Sequence, residues 1–177
     1  MGILLNIILA ISVTLDSFIV GKSVDKKIAF TLISISLAHV LLFLIGVKIG
    51  DEIGPLISKY DHWVSFTVFL FLSLICYKDL FSEEPVFKLD NVFKILITTL
   101  ALSIDAFAVG ASSHHEIEYL GLVIIIIGIS APFFCYLGYK LKNEMIKHSH
   151  KLLHFSEGTF FLIIGSFILY SHLSGGY

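Results

Sequence analysis

The stretch Thr14-Leu15-Asp16-Ser17-Phe18-Ile19-Val20-Gly21 returns 89 residues later as Ser103-Ile104-Asp105-Ala106-Phe107-Ala108-Val109-Gly110. Each copy sets one carboxylate inside an apolar run and ends on glycine. The register extends outward: at an offset of 92, Gly46-Val47-Lys48 pairs with Gly138-Tyr139-Lys140, and His62, Thr67 and Leu70 pair with His154, Thr159 and Leu162. Short matches held at a nearly constant offset along most of a chain mark an internal duplication.

Composition says what was duplicated. Of 177 residues, 56% are hydrophobic and 15% charged, whereas a water-soluble domain keeps about 45–50% apolar and about 25% charged residues. Six apolar stretches, 3–20, 28–49, 63–80, 92–111, 119–141 and 155–172, each approach the ~20 residues that cross a bilayer as a helix. Short polar linkers separate them, leaving no segment for a soluble domain. Lipid offers the backbone no hydrogen-bond partners, so continuous runs of this length are helices and not barrel strands. The expected fold class is an all-α membrane protein of six transmembrane helices arranged as two inverted three-helix repeats, 1–80 and 92–177, joined by a cytoplasmic linker, 81–91. An odd number of spans per unit turns the second copy upside down, the plan of many secondary transporters, whose substrate sites lie near the midplane. The plainer reading is that duplication is only how such a bundle arose.

Lysine bias sets the expected orientation. Lys22, Lys26, Lys27, Lys78, Lys88, Lys94, Lys140, Lys142, Lys147 and Lys151 lie on one side, against Lys48 and Lys59 on the other. The rich side is cytoplasmic, which puts both termini outside. A cleaved leader would want a basic start, and the first basic residue is Lys22, so the first helix is expected to be retained. The net charge is −2 and all 12 basic residues are lysine. With no guanidinium fork for phosphates or base edges, no nucleic-acid partner is expected. Cys76 and Cys135 read as buried packing thiols.

Asp16 and Asp105 carry the functional signal. A carboxylate near the middle of a membrane helix costs about 2.5–3.5 kcal/mol and normally faces the bundle interior, a wet cavity or an ion path. Here that cost is met twice, at repeat-related positions, on faces shared with Ser12 and Ser23 or with Thr98, Ala101, Ala108 and Ser112. Two carboxylates among hydroxyls suit a hard divalent cation; the structural alternative is a pair of protonated aspartates bridging helices. His39, mid-way along the second helix, reads equally as a ligand completing a mixed O/N site and as a neutral imidazole donating to a helix carbonyl. Ser103 joins Ser12 as a secondary oxygen candidate. Asp79 and Glu157, at cytoplasmic helix ends, line an entrance or are simply solvated. The loop histidines His114 and His115, with Glu116 and Glu118, and the cytoplasmic His148, His150 and His154 read as metal-collecting or plain solvated residues. No nucleotide-binding loop, His-Glu-x-x-His motif or Ser/His dyad is present in the sequence, so no enzyme and no permanently bound cofactor is expected.

These residues resemble a known family. Leu15-Asp16-Ser17-Phe18 and Ala101-Leu102-Ser103-Ile104-Asp105-Ala106-Phe107-Ala108-Val109-Gly110 are similar to the paired Ser-Met/Leu-Asp-Ala-Phe-Ala signatures of the "putative manganese efflux pump" family, MntP. Asp61-His62-Trp63-Val64-Ser65-Phe66 is similar to its entry to helix three, Glu83-Glu84-Pro85 to its acidic loop, and Gly165 to His172 to its last helix. The resemblance implies a secondary transporter exporting Mn²⁺, the transported ion and sole metal partner, across a bacterial cytoplasmic membrane, with Asp16 and Asp105 as transport carboxylates. Two features depart from the family: His39 stands where members carry Glu, and the acidic linker is short. The Leu-Asp-Ser-Phe form is shared with YtaF-like sporulation membrane proteins, so a non-transporting protein of this fold and an exporter of another small cationic solute are the alternatives. Membrane lipid is the expected surrounding, and a homo-oligomer is left open.

Overall fold

The computed structural model describes residues 2–57, 60–82, 88–115, 117–141 and 148–174. It comprises α1 (Ile3–Ser12), α2 (Ser17–Ser23), α3 (Ile28–Ile57), α4 (Asp61–Asp79), α5 (Val92–Leu102), α6 (Ile104–Ser113), α7 (Leu120–Leu141) and α8 (His148–Leu173). Among the described residues there is no strand, only an isolated bridge between Val24 and Leu89 that pins the start of the second half to the end of α2. Five stretches are long and apolar enough to cross a membrane: Ile3–Ser23, Ile28–Leu56, Val92–Ser113, Leu120–Leu141 and Lys151–Leu173. The exterior agrees. Ile33, Leu37, Leu41 and Ile45 form an i,i+4 stripe on α3 that is roughly half exposed, a surface that suits lipid and not water.

The sequence predicts a sixth span at 63–80. The corresponding helix, α4, forms over 19 residues but is not among the five. His62 at one end and Lys78-Asp79 at the other shorten its apolar stretch. The second helix, in turn, runs past the expected stop at Ile49, through Asp51 and Glu52, to Ile57. Both acidic side chains point outward to the exposed surface, so they do not terminate the helix.

Two of the spans are broken, both within the duplicated motif. Between α1 and α2 the N–H groups of Thr14, Leu15, Ser17, Phe18 and Ile19 donate to carbonyls three residues back instead of four, a local tightening of 3₁₀ character. Thr14 adds a side-chain bond to the Ile11 carbonyl and pairs with the Ser130 hydroxyl of α7 at 2.9 Å. Ser103, the repeat counterpart of Thr14, separates α5 from α6, and its hydroxyl donates to the Thr99 carbonyl at 2.7 Å. Such back-bonding competes with the helix ladder and bends it.

The broken spans cross their neighbours at glycines. A Cβ on Gly21 would collide with the Cys135 backbone of α7, and one on Gly138 with the Phe18 carbonyl; in the other half, a Cβ on Gly110 would strike the Phe43 carbonyl of α3, and one on Gly46 the Phe107 carbonyl. These are two versions of one crossing. Gly21 and Phe18 plus 89 give Gly110 and Phe107, and Phe43 and Gly46 plus 92 give Cys135 and Gly138. Small residues let helix backbones approach to contact where lipid supplies no hydrophobic drive between them. The first span, threaded through these crossings, is 61% buried against 33% or less for the others.

Gly46→Ala and Gly138→Ala are therefore expected to destabilise the bundle by about 1–3 kcal/mol through overpacking. Gly121→Ala, with nothing within 4 Å of its Cβ position, should leave it unchanged or slightly firmer. Thermal unfolding of the three variants in the same detergent reads the difference.

Candidate metal centre

The two breaks and the middle of α3 converge. Asp16 lies at the junction of α1 and α2, Asp105 in the first turn of α6 and His39 half-way along α3, and one ligand atom from each lies within 4.8 Å of the others. His39 is fully buried. Its Nδ1 lies 2.8 Å from Ser103 Oγ and 3.0 Å from the Ile35 carbonyl. The Ser103 hydroxyl hydrogen goes to Thr99, so Ser103 accepts, and the imidazole proton belongs on Nδ1, shared between Ser103 and Ile35. That leaves Nε2 facing Asp16 Oδ1, 3.5 Å away. A histidine that donates one ring N–H to a carbonyl or hydroxyl while its other nitrogen faces carboxylates has the arrangement of a metal ligand held by its outer partners. The helix-carbonyl bond expected of a structural imidazole is present, and it aims Nε2 at Asp16.

Ligand bonds of about 2.1 Å in a four- or six-coordinate ion put neighbouring ligand atoms roughly 3.0–3.4 Å apart. The His39–Asp16 separation of 3.5 Å is already close to that range, and the remaining separations, at most 4.8 Å, would have to shorten on binding. Asp105 Oδ1 also accepts the Ala106 N–H at 2.6 Å, which fixes one carboxylate oxygen and leaves the other for a ligand.

The cluster borders a cavity of about 620 Å³. Asp16 and Asp105 line it together with Cys76 and Asp79 of α4, Ser82 just beyond it, and His154 and Glu157 of α8. Asp79 and Glu157 are thus on the cavity, Glu157 buried and Asp79 half-buried. Ser12 turns its hydroxyl to the Leu9 carbonyl of its own helix and does not line the cavity. Ser103 holds His39 and reaches the cluster only through it.

The sequence reading missed one grouping. Cys76, expected only to pack, and His154, expected in a loop, stand with Glu157 in a second set of close ligand atoms. His154 and Glu157 lie one turn apart on α8, and that i,i+3 spacing was the available signal. Of the other histidines, His114 is buried against Gly50 and Gly54 of α3 and its ring lies 3.8 Å from that of His115. His62 stacks on His172 at 3.6 Å. Lys59, Glu83, Glu84, Pro85, Glu116, Lys142 and Lys147, and the side chains of Asp61, His148 and His150, lie outside the described residues.

Fold and site define a multi-pass helical membrane protein with a carboxylate–imidazole cluster on an internal cavity. The family model described as "Putative manganese efflux pump" matches residues 22–169, and the chain belongs to that family. A relative named putative manganese efflux pump MntP in Dehalococcoides mccartyi is 28% identical over 188 aligned positions, covering 99% of this chain and 97% of the relative. Proteins of the same name in Xanthomonas euvesicatoria and Neisseria meningitidis are 30% and 26% identical, covering 74% and 98% of this chain and 72% and 98% of the relatives. No solved structure matches the chain.

Ser103→Ala removes one of the two Nδ1 partners of His39 and is expected to weaken divalent-metal binding about tenfold, the low end of the loss that follows removal of an outer-shell partner. Asp105→Asn, which removes a ligand charge, should weaken it further. Mn²⁺ binding to the purified protein, followed by electron paramagnetic resonance, reads both.

Proposed function

We propose that this chain is a secondary transporter that carries Mn²⁺ out of the cytoplasm through Asp16, His39 and Asp105. The observation that carries the reading is the convergence of these three residues, from two broken spans and a third helix, into one cluster whose two carboxylates line a cavity. Two carboxylates neutralise a divalent ion in a low-dielectric interior, which offsets much of its dehydration cost. An imidazole nitrogen favours Mn²⁺ over Mg²⁺, which takes oxygen ligands and parts reluctantly with water. Protons returning to the carboxylates as the ion leaves would couple the cycle to the proton gradient.

In this reading α4 is the sixth span, and the halves are inverted repeats with Asp16 slightly to the cytoplasmic side of centre and Asp105 to the outer side. The repeated glycine crossings support the symmetry. Departures from it suggest which way the cavity faces. Ser65 of α4 donates to the Ser112 carbonyl of α6, closing the bundle at the end away from Asp79. The repeat counterparts of Ser65 and Ser112 are Glu157 and Ser23. Glu157 instead borders the open cavity, and the Ser23 carbonyl is taken by the Leu89 N–H at 2.9 Å. The lysines beside that opening, Lys78, Lys88 and Lys94, mark it as cytoplasmic by the positive-inside rule. In this reading the chain is inward-open, and exchanging the two closures would open it outward.

Two experiments test this. Asp16→Ala and Asp105→Ala should each abolish rescue of a manganese-sensitive, pump-deficient host and reduce Mn²⁺ uptake into inverted vesicles to the empty-vesicle background. Full rescue by either variant overturns the mechanism, and lysine or Zn²⁺ outcompeting Mn²⁺ in the same vesicles overturns the cargo. For the inward-open state, a Ser65→Cys, Ser112→Cys pair should cross-link in the resting protein and stop transport, with reductant restoring it. A Ser23→Cys, Glu157→Cys pair should cross-link only in outward-open protein, and ready cross-linking at rest overturns the assignment.

A further inference from the structure

We propose that Cys76, His154 and Glu157 form a second divalent-metal site, selective for thiophilic ions of the Zn²⁺ and Co²⁺ class, on the wall of the same cavity. The site stands on its own geometry, and it does not depend on manganese being the cargo.

The three side chains come from two helices packed along their length, α4 and α8. Gly158 makes the approach possible: a Cβ there would sit 3.1 Å from Cys76 Cβ and 3.2 Å from the Ser73 carbonyl. One ligand atom from each of Cys76, His154 and Glu157 lies within 4.8 Å of the others. His154 Nδ1 and Glu157 Oε2 are 3.4 Å apart, longer than a well-formed hydrogen bond but close to the edge of a tetrahedron built on bonds of about 2.1 Å. Glu157 is only 4% exposed and Cys76 7%. A buried glutamate keeps close partners, and those of Glu157 are the imidazole of His154 and the thiol of Cys76, both of them metal donors.

The donor set decides the ion. The central cluster offers oxygen and nitrogen, whereas this one offers sulfur, nitrogen and oxygen, a combination that selects Zn²⁺, Co²⁺ or Fe²⁺ over Mn²⁺ and Mg²⁺. On binding, the Cys76 thiol gives its proton to water in the cavity and coordinates as thiolate. With the Glu157 carboxylate it cancels the ion's two charges, His154 binds as a neutral imidazole, and a fourth position is open to water. All three side chains line the 620 Å³ cavity, so the ion has a path in.

The test is Co²⁺ titration of the full chain in lipid nanodiscs, read by optical absorption. A near-ultraviolet thiolate-to-cobalt charge-transfer band is expected, removed by equimolar Zn²⁺ and resistant to excess Mn²⁺. Cys76→Ser should abolish it while the variant keeps native elution and Mn²⁺ binding, and Cys135→Ser should leave it intact. Glu157→Gln should keep the band at about tenfold or more weaker affinity, at least what loss of an outer-shell partner costs. The Asp16→Asn, Asp105→Asn double variant disables the central cluster and should keep the band, so loss of manganese export and loss of this site are read separately. No band, a band surviving in Cys76→Ser, or a band that Mn²⁺ displaces as readily as Zn²⁺ overturns the proposal.

Discussion

A carboxylate inside a membrane has nowhere to point but inward, and the rest of this bundle follows from placing two of them. Asp16 and Asp105 each cost about 2.5–3.5 kcal/mol if left facing lipid, so the helices that carry them are drawn into the interior. The effect is plain in the span that carries Asp16, 61% buried, while the span that carries Asp105 is 28% buried and turns only its carboxylate face inward. The neighbours that enclose it show lipid their apolar residues and keep His39, Ser103 and the aspartates inside.

Placing the carboxylates together takes a second device. An unbroken span would carry each aspartate past its neighbour on the far side of full-width side chains. Glycines at four symmetry-matched positions remove that width, and backbone meets backbone between α2 and α7 and between α3 and α6. The breaks at Thr14 and Ser103 lie beside the carboxylates, where hydroxyls share helix carbonyls with the backbone N–H groups. Crossing and break lie within a few residues of each other in both halves, which is why the motif reads as one eight-residue unit.

The legible part of the chain was the part that is periodic or duplicated. Apolar length located the helices because lipid imposes that length, and the repeat drew attention to Asp16 and Asp105. His39 has no titratable repeat partner, and its surroundings appear only in the fold, where Nδ1 meets the Ile35 carbonyl and the hydroxyl of Ser103, a residue 64 positions away. The cavity-wall grouping was illegible for the same reason. Cys76 sits on one helix and His154 and Glu157 on another, and their meeting depends on how α4 and α8 rotate about their axes. The helix-end errors share a cause: hydropathy falls where a helix leaves the hydrocarbon, but the backbone hydrogen bonds continue, as α3 does through Asp51 and Glu52.

By itself, then, the sequence determined that this is a helical membrane protein carrying a doubled intramembrane aspartate motif, because both features are local and paid for residue by residue in transfer free energy. Tertiary structure alone decided that the two aspartates share a cavity and meet His39 behind it, that Ser103 serves His39, and that a cysteine read as packing faces a histidine and a glutamate. Each depends on helix rotation and close approach, which are fixed by contacts between segments distant in sequence and so leave no trace in any one of them.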